Sequence, residues 1–391
     1  MIRLAWAVVV IAACRSHGEP DVPGDAAAPR PHDARTPDAP PAFPELATFP
    51  HVEPVRVVAL PARPALPRFD LAGPAIAGDV AIVGSSQFGF VAVDWRRGQI
   101  AWAKPTGEHV APPIVRTGGI VLLADCVNPP DVPAGDALLG CLRLVSPTGA
   151  DQLYVAIHGR AGALAPFATA LGDQRTWQDG TRVIWRRGDQ AVAIDVFSGV
   201  ARPVPATDPP LVVSYKHRSW QIARGEDGVI AGRGTPSWHT RRGYTALIGA
   251  VYLPEQAPMI RMSNAGAFAG KPELMLFDMD ATGSMNGQVA FPVPGIGLLG
   301  HAIDEVGDTA LAVRLDTTLE RDFVVGYAAN ALLMWVYPLP RVPRADPVGL
   351  AIARDAVLVF HDGDTLTVLP ELSAPPTSPG APSRPSENAT P

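Results

Sequence analysis

No segment of this chain keeps a 3.6-residue apolar period for three turns, so a helical bundle is excluded before any motif is considered. What recurs is short: four to seven β-favouring residues, then a turn. With 37 Gly and 43 Pro, about a fifth of the 391 residues interrupt regular structure. Asp355-Ala-Val-Leu-Val-Phe360 and Thr365-Leu-Thr-Val-Leu369 flank His361-Asp362-Gly363-Asp364, whose Asp-Gly step tolerates the positive φ of a tight hairpin. Thr181 to Arg186 and Gln190 to Val196 form a similar pair around Arg187-Gly188-Asp189.

Composition narrows the function classes. Apolar residues are 47% and charged residues 18%, which excludes a chain disordered throughout. A net charge of -6 with only Lys104, Lys216 and Lys271 among the lysines argues against a nucleic-acid partner. Three cysteines are too few for a disulfide-dense miniprotein.

A longer unit repeats. It reads Gly78-Asp-Val-Ala-Ile-Val-Gly84, then Gly89-Phe-Val-Ala-Val-Asp94, then Gly98-Gln-Ile-Ala-Trp102. Asp94, Gly98 and Trp102 are spaced four and four. Asp can bond turn amides, Gly reverses the chain, and Trp can pack between neighbouring units. Weaker copies are Leu142 to Gly149, Ala191 to Asp195 with Gly199, Leu274 to Asp280 with Gly283, and Val324 to Tyr327 with Ala331 and Trp335. The pattern resembles the repeat of pyrroloquinoline-quinone-type (PQQ-like) β-propellers. It implies an all-β fold, a single propeller of about seven four-stranded blades, with eight as the runner-up and a β-sandwich as the alternative. A core over 51–372 gives about 46 residues per blade for seven. The strand near Val55 to Leu60 is expected to share the last blade with residues 355–369, hiding the sheet edges.

The ends read differently. Met1-Ile2-Arg3, an apolar run from Leu4 to Ala13 and then Cys14 make a secretory leader over 1–13, too short to span a bilayer. Ile11-Ala12-Ala13-Cys14 resembles a bacterial lipobox, which implies lipid attachment at Cys14 and a membrane partner held through that lipid. An ordinary signal peptide with a chance cysteine is the alternative. Arg15 stands where an inner-membrane retention Asp would be, which points to the outer membrane of a bacterial cell envelope, with the domain in the periplasm or at the cell surface. Residues 14–50, with nine prolines, read as a disordered tether, and 373–391, with six, as a disordered tail.

Catalytic signatures are sparse. The nine histidines show no zinc-ligand spacing, and no Walker loop or Gly-x-Ser-x-Gly elbow occurs. Asp278-x-Asp280-x-Thr282-Gly283 resembles the front of a calcium loop, but its twelfth position is Val289, and the stretch doubles as the repeat's own turn. No cofactor is assigned. The quinone-dependent dehydrogenases of this repeat class often carry a Cys-Cys step, absent here. Ala81 to Val83, Val121 to Leu123, Leu311 to Val313 and Val357 to Val359 read as plain inner strands without cofactor-binding groups. Trp102 and Trp335 take the packing position. Cys126 and Cys141 flank a Pro- and Asp-rich insertion between two strands and are expected to pair in an oxidising compartment, with two free thiols as the alternative. Tyr215 to Trp220 and Trp238 to Tyr244 combine Trp, Tyr and basic residues; they fit either partner-gripping loops or blade packing.

The sequence therefore supports a membrane-anchored, non-catalytic propeller that binds a protein or envelope polymer. Its plan is similar to that of the propeller lipoproteins of the outer-membrane β-barrel assembly machinery. The alternatives are a quinone-dependent envelope oxidoreductase, or a sugar- or polymer-binding or lyase propeller.

Overall fold

The computed structural model describes residues 44–61, 71–107, 109–170, 174–207, 209–252, 257–268, 271–283, 292–316, 321–339 and 348–372. Within them the chain forms seven four-stranded antiparallel sheets. Blade 1 is Leu71–Ala77, Val80–Ser85, Gly89–Asp94 and Gln99–Lys104. Blade 2 is Ile114–Arg116, Gly119–Ala124, Asp136–Val145 and Asp151–Arg160. Blade 3 is Gln174–Asp179, Arg182–Arg187, Gln190–Asp195 and Ala201–Val204. Blade 4 is Leu211–Tyr215, Arg218–Arg224, Ile230–Arg233 and Trp238–His239. Blade 5 is Ala246–Val251, Met259–Phe268, Lys271–Asp280 and Val293–Pro294. Blade 6 is Gly297–Ile303, Thr309–Asp316, Arg321–Tyr327 and Leu333–Pro338.

Blade 7 closes the ring. Its three C-terminal strands, Gly349–Ala353, Ala356–His361 and Thr365–Pro370, accept Arg56–Ala59 as the outermost fourth. Arg56 pairs with Val368 and Ala59 with Thr365, as expected for a chain that must hide its edges. The expected hairpin at Asp362-Gly363 is present, with both residues at positive φ.

Where blades 1 and 2, 2 and 3, 4 and 5, 5 and 6, 6 and 7, and 7 and 1 meet, their first strands run beside one another, so first strands are innermost. This corrects one reading of the sequence. Ala81 to Val83, Val121 to Leu123, Leu311 to Val313 and Val357 to Val359 are second strands, buried between neighbouring blades. Their unbroken apolar character reflects burial on both faces rather than a plain channel wall.

The folded unit also begins earlier than Pro50. Pro44–Leu46 forms a 3-10 turn, and Leu46 is fully buried among Leu274, Leu311 and Phe323. Glu45 accepts two hydrogen bonds from Arg321. His51 then bridges to Val336 in parallel, so the segment lies along blade 6 before it enters blade 7. The leader over 1–13, Cys14, the tether up to residue 43 and the tail over 373–391 lie outside the described residues.

One helix, Ala161–Ala168, follows blade 2. Leu164 and Phe167 anchor it in the blade 2–3 joint, where Phe167 meets Trp185 edge-on at 5.2 Å. At eight residues it is too short to have left a periodic signal.

Candidate functional site

The repeat residues build joints. Asp94 accepts a hydrogen bond from the Arg97 amide, and the Gly98 amide donates to the Asp94 carbonyl. Asp195 accepts from the Phe197 and Ser198 amides and the Ser198 hydroxyl, which holds its carboxyl below the usual carboxylate range. Gly199 presses against the Ala156 carbonyl of blade 2, so its turn leaves no room for a side chain.

Trp102, on the outer strand of blade 1, donates from Nε1 to the Pro147 carbonyl and lies on Gly149 in the turn of blade 2. The same arrangement recurs where Trp238 of blade 4 donates to the Ala281 carbonyl and lies on Gly283 of blade 5. Trp335 is fully buried in the blade 6–7 joint beside Leu372. Ala331, where the repeat would place Gly, still adopts a left-handed φ of 63°.

These contacts assign Trp220 and Trp238 to packing. Trp220 is fully buried and donates to the Pro236 carbonyl, while Trp238 forms the lock just described. Lys216 and His217 form the turn between the first two strands of blade 4, whereas 240–244 lies in the loop leading to blade 5. Alternating strand directions put those loops on opposite faces of the ring, so the two clusters do not converge.

The calcium-like stretch is also occupied by folding contacts. Asp278 pairs with Arg261, and Asp280 caps the Thr282 amide. Position 289 lies outside the described residues. Arg261 reaches further, donating to the Gly307 carbonyl, the Thr309 hydroxyl and the Ala329 carbonyl. All five guanidinium N–H groups are thereby used, and blade 5 is bolted to blade 6. Nearby, burial pushes the Tyr327 hydroxyl well above its ordinary pKa.

One triplet has the connectivity of a nucleophile, base and carboxylate. His361 Nε2 lies 2.8 Å from the Thr367 hydroxyl, and its Nδ1 lies 3.0 Å from Asp362. A hydrolytic triad presents its hydroxyl to a cleft with oxyanion donors. Here both His361 and Thr367 are 1% exposed within one hairpin, so the triplet holds that hairpin together. Two more carboxylate–imidazole pairs stand in blade 2: Asp136 with His158 at 2.7 Å joins its third and fourth strands, and Asp125 with His109 at 2.8 Å ties the segments flanking its first two strands.

The most elaborated surface is the face formed by loops joining second to third strands and fourth strands to the next blade. The Cys126–Cys141 disulfide lies there, with Cα atoms 5.1 Å apart, as the facing strands predict. Cys141 is opposite Ala124 in the ladder, so the bridge pins the foot of the loop over 125–135. Tyr154 donates to the Asn128 carbonyl, and Arg143 stacks 4.3 Å above the Tyr154 ring. Val127 is 52% exposed on this loop. The helix Ala161–Ala168 rises from the same face of the same blade.

No protein-family profile matches the chain, and no curated protein matches it. Solved structures with a similar fold include BamB from Moraxella catarrhalis, at 12% identity and TM-score 0.38, covering 82% of this chain and 100% of that one. A chain of the mitotic checkpoint complex aligns at 11% identity and TM-score 0.44, covering 86% and 98%. The C-terminal WD40 domain of Sif2 aligns at 10% identity and TM-score 0.43, covering 83% and 99%.

Proposed function

We propose that this chain is a lipid-anchored, non-catalytic β-propeller that serves as a protein-binding scaffold in a bacterial cell envelope. The observation that carries the reading is that the disulfide-braced loop over 125–135 and the helix Ala161–Ala168 both rise from one face of blade 2. A disulfide suits an oxidising compartment, in keeping with the leader and the Cys14 lipobox. Loops from several blades offer a platform of the kind propellers use for recognition. The chemically capable side chains Asp94, Asp195, Asp278 and His361 are engaged in turns and joints.

Two measurements test it. A clickable fatty acid should label the wild-type protein and leave Cys14→Ser unlabelled; labelling of that variant removes the anchor. Affinity capture from detergent-solubilised envelopes should recover a defined protein partner. Capture that recovers nothing beyond an unrelated propeller bait, or a saturable rise in melting temperature on adding quinone and calcium, would overturn the scaffold reading.

A further inference from the structure

Blade 4 is built unlike its neighbours. Second strands elsewhere, such as Val80–Ser85 and Gly119–Ala124, are unbroken buried runs. The second strand of blade 4 alternates: Trp220 and Ile222 are buried, whereas Ser219, Gln221 and Ala223 are exposed. Alternation marks a sheet with one face in solvent. The buried face packs Trp220, Ile222 and Ile230 against Ile260 and Met262 of blade 5. The exposed face therefore looks toward blade 3. There Val212 is 56% exposed, and its ladder neighbours Gln221 and Arg233 are exposed as well.

Blade 3 presents the opposing wall. Its Val183 and Trp185 face blade 2, so Arg182, Ile184 and Arg186 face blade 4. The apolar cluster on this side, Ile184, Ala191 and Ala193 with Trp177 and Val204, recruits no residue of blade 4. Among the described residues, apolar clusters cross each of the other six joints but not this one. The two walls face each other across a joint that no apolar cluster closes, with Val212, Gln221 and Arg233 exposed on the blade 4 side.

Its charge runs against that of the whole chain, which is -6. Arg175, Arg182, Arg186 and Arg202 lie on one wall, and Arg233 with His239 on the other. The carboxylates on these walls, Asp179 and Asp195, both lie opposite Arg182 in the ladder, and Arg186 Nε donates to the Gly188 carbonyl, whereas Arg202 and Arg233 stand exposed on the two walls. Trp177 and Val212 place apolar surface between the guanidinium groups. Arg182 and Arg186 share one strand face, where every second residue repeats at roughly 7 Å. An extended polypeptide has the same repeat, with alternate side chains on alternate sides.

We infer that the cleft between blades 3 and 4 receives an extended acidic segment of a partner protein, its carboxylates alternating with small apolar side chains. This deepens the scaffold reading and rests on it. Carboxylates meet Arg202 and Arg233 from the two walls, and the apolar side chains cover Trp177 and Val212.

The test uses the full chain and a fluorescein-labelled peptide of about twelve residues alternating Glu and Val, followed by anisotropy. Saturable binding that weakens with added salt is expected. Arg202→Glu combined with Arg233→Glu should weaken it about tenfold or more, and Gln221→Glu alone should weaken it measurably. Arg97→Glu, on a remote turn, should leave it unchanged. These positions are exposed, and circular dichroism verifies folding. Absence of saturable binding, equal loss in Arg97→Glu, or equally tight binding of an oligogalacturonate overturns the inference. So does dimerisation of the chain through the cleft, seen as self-association that the double reversal abolishes. If the double variant still captures the same envelope partner, the cleft assignment fails while the scaffold stands; if neither protein captures one, the scaffold fails.

Discussion

Asp278 grips Arg261 with both carboxylate oxygens, at 2.8 and 2.7 Å, in a joint where the two side chains are at most 1% exposed. Such a pair offsets its own desolvation only while every donor is satisfied. Asp278→Ala leaves a buried guanidinium without its counter-charge and should cost about 3–5 kcal/mol. Arg261→Met with Asp278→Leu, which removes both charges, should recover much of that loss. Urea unfolding of the three proteins measures the difference.

The tryptophan locks yield a second expectation. Gly149 sits at φ 84°, and a Cβ there would lie 2.5 Å from the Trp102 ring. Gly149→Ala should therefore destabilise the protein, and its cost should shrink in a Trp102→Ala background, where the ring clash is gone but the close approach to the residue 102 Cβ, 2.9 Å, and the backbone strain persist. Gly283→Ala, with Trp238→Ala as the relieving change, should behave in parallel. A double-mutant cycle on melting temperature tests each pair.

Removing the disulfide should loosen the loop face more than the ring. The bridge spans 15 residues of sequence, and a loop of that size is worth on the order of 3 kcal/mol in the chain-entropy model. The Cys126→Ala, Cys141→Ala double variant should lose hydrogen-exchange protection first over 125–141. Alkylation of the wild-type protein without reductant should find neither thiol reactive.

His301, on the innermost strand of blade 6, is solvent-accessible, yet the protein surrounding it disfavours the charged form and holds it below the ordinary imidazole value of 6.5, with the positive charge of Arg175 adding to the effect. The unfolded chain then binds more protons than the folded one between the two pKa values. This contribution to stability is complete above the unfolded value and declines as pH falls through it toward the folded one. An NMR titration should place His301 below free histidine and show it rising in Arg175→Gln.

Legibility in the sequence followed distance along the chain. Asp94, Gly98 and Trp102 stand within nine residues, and the Asp362-Gly363 hairpin is shorter still, so residue type alone reveals them. The seven-bladed ring and its N-terminal closing strand emerge from repeating that local signal. The Arg261 bolt draws on Asp278, Gly307, Thr309 and Ala329, which no spacing rule connects. The sequence leaves Trp238 open between packing and a partner-gripping loop because its Gly283 partner is in the next blade. First and second strands were confused because both are short apolar runs, and only their neighbours distinguish them. The exposed wall of blade 4 is not legible from alternation alone: Ser219-Trp220-Gln221-Ile222 alternates, but so does Ile260-Arg261-Met262-Ser263 of blade 5, whose polar residues are buried.

The closure of blade 7 has a mechanical side. Residues 50–52 run parallel to the outer strand of blade 6, and Arg56–Ala59 then lies along Thr365–Pro370. Tension drawn from residue 44 reaches the ring first through Leu46 and the Glu45–Arg321 clasp, and only afterwards loads the seam. A pull along the strands stresses the ladder bonds of that seam together, in shear, instead of peeling them singly. Since forced rupture is governed by the unfolding rate, Leu46→Ala or Arg321→Ala should shorten the lifetime of the ring under load far more than it lowers the melting temperature.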